Sequence, residues 1–278
     1  MSNARNTDPE GPLDAYRTTD RLQARIAMHE RFGNTSFDLH SWIFDLLLNP
    51  GAAEPLVPDA AKVLEVGAGT GRMWQVVAGR VPPGWSLTLT DRSPGMLEAL
   101  HQLTQELGLD ASVQEADARA LPYPDATFDL AFANHMLYHL PDPRLGVAEL
   151  RRVLKPGGLL VAATNGAGHM RQATDLVRPL AALEGLQLMG VEPLSFTCES
   201  GRVMLEERFS NVELRRQDDE LQVTDLEVLL AYLRSLIHLP SHPEPATLSA
   251  LAEWEATVRS LPLPFAVERA TGVFFARA

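Results

Sequence analysis

Between Lys62 and Asn165, short apolar or β-branched runs alternate with stretches of helical periodicity, and this alternation leaves few folds open. The runs are KVLEVG, SLTLTD, SVQEAD, FDLAFAN and LLVAATN. Strands that alternate with crossover helices build a mostly parallel, doubly wound sheet. The intervening segments fit that scheme. In GRMWQVVAGR, Met73, Val76 and Val77 share a helical face, and in SPGMLEALHQLTQELG, Met96, Leu100, Leu103 and Leu107 do the same. A third crossover helix carries its own punctuation: Asp142 caps it, Pro143 suits its first position, Val147, Leu150 and Leu154 face inwards, and KPGG at Lys155 to Gly158 ends it before a strand.

The flanks are helical as well. TTDRLQARIAMHERFG has a capping residue at Thr19 or Asp20, an apolar face with Leu22 and Ile26, and a terminating Gly33, and SFDLHSWIFDLLL follows it. Downstream come a helical excursion from Gly166 to Leu194, a sixth strand in NVELRRQ, an amphipathic helix in DLEVLLAYLRSLIHL and a closing strand in GVFFARA. The expected architecture is an α/β, Rossmann-like, seven-stranded doubly wound sheet. Residues 1–50 form an N-terminal helical lid, and residues 51–278 form the core, with a cap inserted at about 166–200 and helices at about 224–260. Such short flanks are expected to cover the open edge of the sheet, where open α/β folds take their ligands.

Composition narrows the partners. A chain of 278 residues, 45% hydrophobic, can bury one large core, and its net charge of -12 works against a phosphate backbone, so nucleic acid is not the expected partner. The N-terminal MSNARNTDPEGPLD has no apolar h-region, and no run of about 18 apolar residues occurs, which predicts a cytoplasmic protein with no membrane partner. The single cysteine, Cys198, can form neither an internal disulfide nor a thiolate cage, and SFTCESG lacks the cations that would activate a thiol.

The stretch VLEVGAGTGRMW then asks which ligand the core holds. Glycines directly after a strand and before a helix let the backbone turn sharply and approach a ligand, beside N–H groups that attract negative charge. A dinucleotide fingerprint requires glycine at position 72, where this chain has Arg72. The actual spacing, Glu65 followed by Gly67, Gly69 and Gly71, resembles the first motif of class I S-adenosylmethionine-dependent methyltransferases. The resemblance runs from about Lys62 to Asn165, and RRVLKPGG is similar to the subgroup of ubiquinone and natural-product methyltransferases. It implies S-adenosylmethionine as cofactor and S-adenosylhomocysteine as product.

On that resemblance, Gly67, Ala68, Gly69 and Gly71 border the amino-acid end of the cofactor, and Glu65 orients its ammonium. Asp91, at the end of the second strand, either accepts the ribose hydroxyls, with Arg92 beside it, or caps the helix of SPGML. Met96 packs on the adenine or fills core. EADARALPYPDATFDL is similar to the third motif, which places Asp117 at the adenine amino group and Ala118 at a ring nitrogen. ANHMLYHLPD matches the segment beneath the methionine portion, with Asn134 contributing a carbonyl and Met136 nearby. No D/N-P-P-Y/F tetrad follows the fourth strand, unlike nucleic-acid amino-methyltransferases.

Three residues are candidates for catalysis: Tyr16, His29 and His139. Tyr16 is placed like the lid tyrosine of some small-molecule methyltransferases, and His139 lies near the transferred methyl or is structural. Arg25, His29 and Phe32 share a face that looks into the cofactor mouth or is merely solvated. His135 and His139 are four apart, but HMLYH lacks the glutamate of H-E-x-x-H, so no metal is expected. Phe37, His40, Trp42, His169, Tyr232 and Phe265 could build an aromatic acceptor pocket or be ordinary core. The expected reaction is methyl transfer to a small-molecule acceptor in specialised metabolism, an aromatic one among the candidates. The alternatives are a non-methylating S-adenosylmethionine binder, such as a cyclase or interaction module, and a nicotinamide-dependent oxidoreductase.

Overall fold

The computed structural model describes residues 19–33, 37–48, 56–240 and 242–278. They fall into two compact units, one of residues 37–166, 195–216 and 271–278, the other of the described parts of 1–36, 167–194 and 217–270.

The first unit holds the sheet. Strands β1 (Lys62–Val66), β2 (Ser86–Asp91), β3 (Ala111–Glu115), β4 (Phe128–Phe132) and β5 (Leu154–Asn165) are joined by β7 (Ser210–Val223) and β9 (Phe265–Arg277) in the order β3-β2-β1-β4-β5-β9-β7. Neighbours from β3 to β5 run parallel, and β9 lies antiparallel to β5, with Asn165 opposite Thr271. Val63 to Val66 and Leu130 to Phe132 are buried throughout, as expected of central parallel strands covered on both faces. One face packs against α2 (Leu39–Leu48), α3 (Arg72–Val77) and α4 (Pro94–Leu107) through Phe44, Trp74, Leu89, Leu100 and Phe132. The other packs against α5 (Pro143–Val153) and α7 (Cys198–Glu206) through Leu64, Leu150, Phe196, Leu205 and Phe274. The chain steps outward from β1 to β3 and then returns to β4 beside β1. This reversal of strand order sets the ends of β1, β2 and β4 side by side, where a doubly wound sheet opens its crevice.

The second unit contains α1 (Thr19–Phe32), α6 (Arg171–Val177), α8 (Leu226–Ser235), α9 (Pro245–Arg259), the two-residue strands β6 (Gln187–Leu188) and β8 (Ile237–His238), and the far ends of β7 and β9. Its core includes Met28, Met170, Val177, Leu229, Leu233 and Val267. Arg25 on α1 donates to the side chain and carbonyl of Ser235 on α8. Gly33 closes α1 with an N–H bonded to the His29 carbonyl at 2.9 Å.

Three local readings change. KPGG does not precede β5 but lies within it: α5 ends at Val153, β5 begins at Leu154, and the register with β4 slips between Phe128 and Leu130, so these residues bulge. Gly157, at φ 77°, and the C-terminal Ala278, which bonds to Gly157 and Gly158, hold the bulge. Leu154 is buried, as the helical reading required, but from a strand. Helix α7, with a Thr197–Ser200 capping box, had no sequence assignment. On α3 the buried residues are Met73, Trp74 and Val77, with Val76 half-buried.

Candidate cofactor site

The site grows from the turn between β1 and α3. Gly67, Gly69 and Gly71 have φ of 64°, 57° and 80°, the left-handed region that glycine alone adopts without strain. The three differ in what lies beside them. A Cβ on Gly67 would come within 2.7 Å of Met136 Cβ, and one on Gly71 within 2.6 Å of both Leu100 and Leu103, whereas one on Gly69 would meet nothing within 4 Å. Gly67 and Gly71 are therefore glycines for packing, and Gly69 fronts open space. Hydrogen bonds fix the turn from behind: Ala68 N–H to the Thr90 carbonyl at 2.9 Å, Gly71 N–H to the Ala68 carbonyl at 3.0 Å, and Gly69 N–H to Asp91 Oδ2 at 2.9 Å.

Asp91 ends β2, and its second oxygen, Oδ1, accepts from Ser93 N–H at 2.8 Å at the start of α4. Asp91 is thus not itself the cap of α4, whose cap position is Ser93 with no side-chain cap bond; it braces Ser93 and the glycine turn, and each oxygen keeps a lone pair. Arg92 is exposed, and Met96 lies half-buried in the first turn of α4. At the end of β3, half-buried Asp117 is gripped by Arg119 through Nε at 3.0 Å and Nη2 at 2.6 Å, and those hydrogen bonds hold its carboxyl below the ordinary aspartate value. Ala118 is buried in the core under α5.

Glu65 occupies the innermost position. It is buried beneath the turn, where Trp74 Nε1–H donates to Oε2 at 2.5 Å and Asn134 Nδ2–H donates to Oε1 at 3.1 Å. Burial pushes its carboxyl up to about 7, against the lowering effect of those two donors. Asn134 follows β4, and its Oδ1 is buried with no hydrogen-bond partner, a rare state for a buried acceptor. Met136 is buried under Gly67.

Beyond Met136 the chain makes a 3-10 turn, Leu137–His139, instead of a helix. His135 has φ 51°, so His135 and His139 do not share a helical face. The His139 ring lies 4.6 Å from that of Tyr138, and crowding around it lowers its pKa, opposed by Asp91. Among the described residues, no three His, Cys, Asp or Glu side chains gather as metal ligands.

The remaining catalytic candidates belong to the second unit or fall outside the described residues. Tyr16 is outside the described residues. His29 belongs to the second unit, its ring stacked on that of His169 at 6.2 Å and edge-on to Tyr232 at 6.4 Å. Burial first, and then Arg269, lowers its pKa to about 4. Of the aromatic residues named for an acceptor pocket, Phe37, His40 and Trp42 belong to the first unit, and His169, Tyr232 and Phe265 to the second. Sequence reasoning passed over Trp74 and Arg119. A buried indole N–H demands an acceptor, so a tryptophan nine positions after a strand-end glutamate was a usable signal.

The residues present fit a zwitterionic nucleoside: an open glycine, a carboxylate with lone pairs to spare, and an unpaired buried acceptor stand on three adjacent strand ends. Residues 64–162 match the methyltransferase domain family. With the seven-stranded Rossmann-like sheet, this match makes the region from β1 to β5 similar to a class I S-adenosylmethionine-dependent methyltransferase domain. Within that class, the chain is 33% identical over 158 residues to 2-methyl-6-phytyl-1,4-hydroquinone methyltransferase 2, chloroplastic, of Oryza sativa subsp. japonica, covering 53% of this chain and 44% of that one. It is 34% identical over 149 residues to the demethylmenaquinone methyltransferase of Deinococcus radiodurans, covering 51% and 61%. The chain spans about half the length of the curated relatives it matches. The YcgJ protein of Bacillus subtilis shares the fold, with a TM-score of 0.58 at 18% identity over 86% of this chain and 98% of that one.

Proposed function

We propose that this chain binds S-adenosylmethionine at the β1–α3 turn and catalyses transfer of its methyl group to a small-molecule acceptor in specialised metabolism, in the cytoplasm. The bound cofactor supplies an electrophilic methyl on a sulfonium sulfur. The observation that carries the reading is the unpaired Asn134 Oδ1, two residues past the end of β4, with the open, positive-φ Gly69 following the neighbouring strand β1. In this reading Gly67, Ala68, Gly69 and Gly71 let the amino-acid end approach, and Asn134 Oδ1 accepts from its ammonium. Asp91 accepts the ribose hydroxyls with Arg92 beside it, and Met96, Asp117 and Ala118 border the adenine. For Asp117 this requires Arg119 to leave its carboxylate a free lone pair or to turn aside.

Displacement at a methyl needs the nucleophile aligned opposite sulfur in a water-poor pocket, so positioning outweighs base strength. Where the nucleophile is a phenol or enol, a neutral histidine can take its proton, and His139, His29 and Tyr16 are the candidates. The names of the rice and Deinococcus relatives, a phytyl hydroquinone and a demethylmenaquinone methyltransferase, support an aromatic quinol-type acceptor. Incubation with methyl-labelled S-adenosylmethionine and a panel of hydroquinones, phenols and amino-acid-derived metabolites tests this reading. Label should enter one acceptor class with release of S-adenosylhomocysteine, and cofactor binding without transfer to any acceptor would favour a non-methylating binder.

A further inference from the structure

The glutamate beneath the glycine turn has a donor from within the protein on each of its oxygens. Trp74 Nε1–H holds Oε2 at 2.5 Å, and Asn134 Nδ2–H holds Oε1 at 3.1 Å, all inside the protein. The indole cannot easily turn away. Trp74 is fully buried, edge-on to Phe44 with ring centroids 6.3 Å apart and edge-on to Phe132 at 6.0 Å, and Phe44 and Phe132 stack on each other at 6.4 Å. Its N–H is therefore aimed by two flanking rings and received by one carboxylate oxygen. With the carboxylate ionised, its other oxygen decides which end of the Asn134 amide faces inward: the NH2 points at Glu65, with Met73 Sδ 3.1 Å away as a weak second acceptor, so Oδ1 points elsewhere, buried and unpaired.

An amide is nearly symmetric in shape, and only its hydrogen bonds tell oxygen from nitrogen. Without the glutamate in its present orientation, Asn134 could rotate and offer its NH2, which a cationic ligand group cannot use. We infer that Trp74 is a positioning residue of the cofactor site: through Glu65 it fixes the Asn134 amide so that Oδ1 stands ready for the ammonium of the ligand. This inference rests on the S-adenosylmethionine reading above. It assigns Glu65 a place in a relay from aromatic core to amide, one step removed from the ligand.

Trp74→Phe keeps a ring between Phe44 and Phe132 and removes the N–H. Calorimetric titrations compare S-adenosylhomocysteine with 5′-methylthioadenosine, which has the same nucleoside and no amino-acid end. The variant should bind S-adenosylhomocysteine about tenfold more weakly, the size expected for misplacing one charge-assisted hydrogen bond, with 5′-methylthioadenosine affinity unchanged. Equal loss for both ligands, or for neither, overturns the inference. Should Trp74→Phe not fold, Glu65→Gln, of matched shape, must show the same selective loss. The double variant must also lose little beyond Glu65→Gln alone, because Trp74 acts through Glu65, and additive losses refute the relay. A wild-type protein that binds neither ligand removes the cofactor reading itself, an outcome distinct from a relay failure.

Discussion

Gly69 donates its backbone N–H to Asp91 Oδ2 at 2.9 Å, while Asp91 Oδ1 takes the Ser93 N–H at 2.8 Å, so one carboxylate ties the glycine turn to the start of the next helix. Asp91→Asn keeps a single acceptor oxygen and Asp91→Ala keeps none. S-adenosylhomocysteine affinity should fall by about tenfold for the amide and by about a hundredfold for alanine, while the thermal midpoint moves little because the side chain is only half-buried. Unchanged affinity by calorimetry in Asp91→Ala would remove this residue from the ribose site.

Gly69 and Gly71 separate binding from packing. Both have positive φ, so alanine costs roughly 1–2 kcal/mol at either position. At Gly71 the new Cβ also enters Leu100 and Leu103 at 2.6 Å, adding an overpacking cost of about 1–3 kcal/mol. Gly71→Ala should therefore lower the unfolding midpoint clearly more than Gly69→Ala. Gly69→Ala should instead lose ligand affinity out of proportion to its stability, because its methyl enters the open space above the turn. Denaturant melts and titrations on the same preparations read both.

Glu65 gives a pH signature. Its folded pKa is raised from 4.5 to about 7, so between those values the folded state holds a proton that the unfolded state has lost. The contribution is fully favourable below about 4.5 and is lost as pH rises through about 7, a change on the order of 3 kcal/mol. Relative to Glu65→Gln, the wild-type ligand-free protein should become progressively less stable from pH 5 to 8. A flat difference in urea midpoints over that range contradicts a buried, proton-holding Glu65.

His29 acts in the opposite sense. Its pKa falls from 6.5 to about 4, so the folded state resists protonation that the unfolded chain accepts. No penalty exists above 6.5; it grows as pH falls from 6.5 to about 4. Replacing the imidazole with a neutral amide in His29→Gln should reduce the acid sensitivity of unfolding in that window, and it leaves His169 and Tyr232 without their ring partner. Identical acid-unfolding curves for wild type and variant would show that His29 does not resist protonation.

The surface ion pairs supply a control. Arg234 and Arg259 pair with Glu255 and Glu227 between α8 and α9, all four side chains at least 30% exposed. Glu227→Gln should leave the urea midpoint nearly unchanged, and any small difference should shrink further at high salt.

The seven strands of the sheet, the glycine turn and the strand-end position of Asp91 were legible because each rests on local chemistry. Alternating apolar runs specify a sheet, positive φ demands glycine, and an aspartate after a strand has few other uses. Asp142 capping α5, and Gly108 ending α4 at φ 62°, are of the same kind. KPGG was misread because proline and glycine punctuate a bulge as readily as a helix end, and only pairing with β4 distinguishes the two.

The sequence by itself determined that this chain forms a doubly wound sheet with a glycine turn after its first strand, since those choices are made within a few residues. Tertiary structure alone decided which glycine is open and which are packed, that Trp74 and Asn134 share Glu65, that one amide oxygen remains unpaired, and that Arg119 grips Asp117. The physical reason is range. Backbone preference is written in neighbouring residues, whereas a hydrogen bond between side chains such as those of Glu65, on β1, and Asn134, just past β4, exists only once the sheet has brought them together.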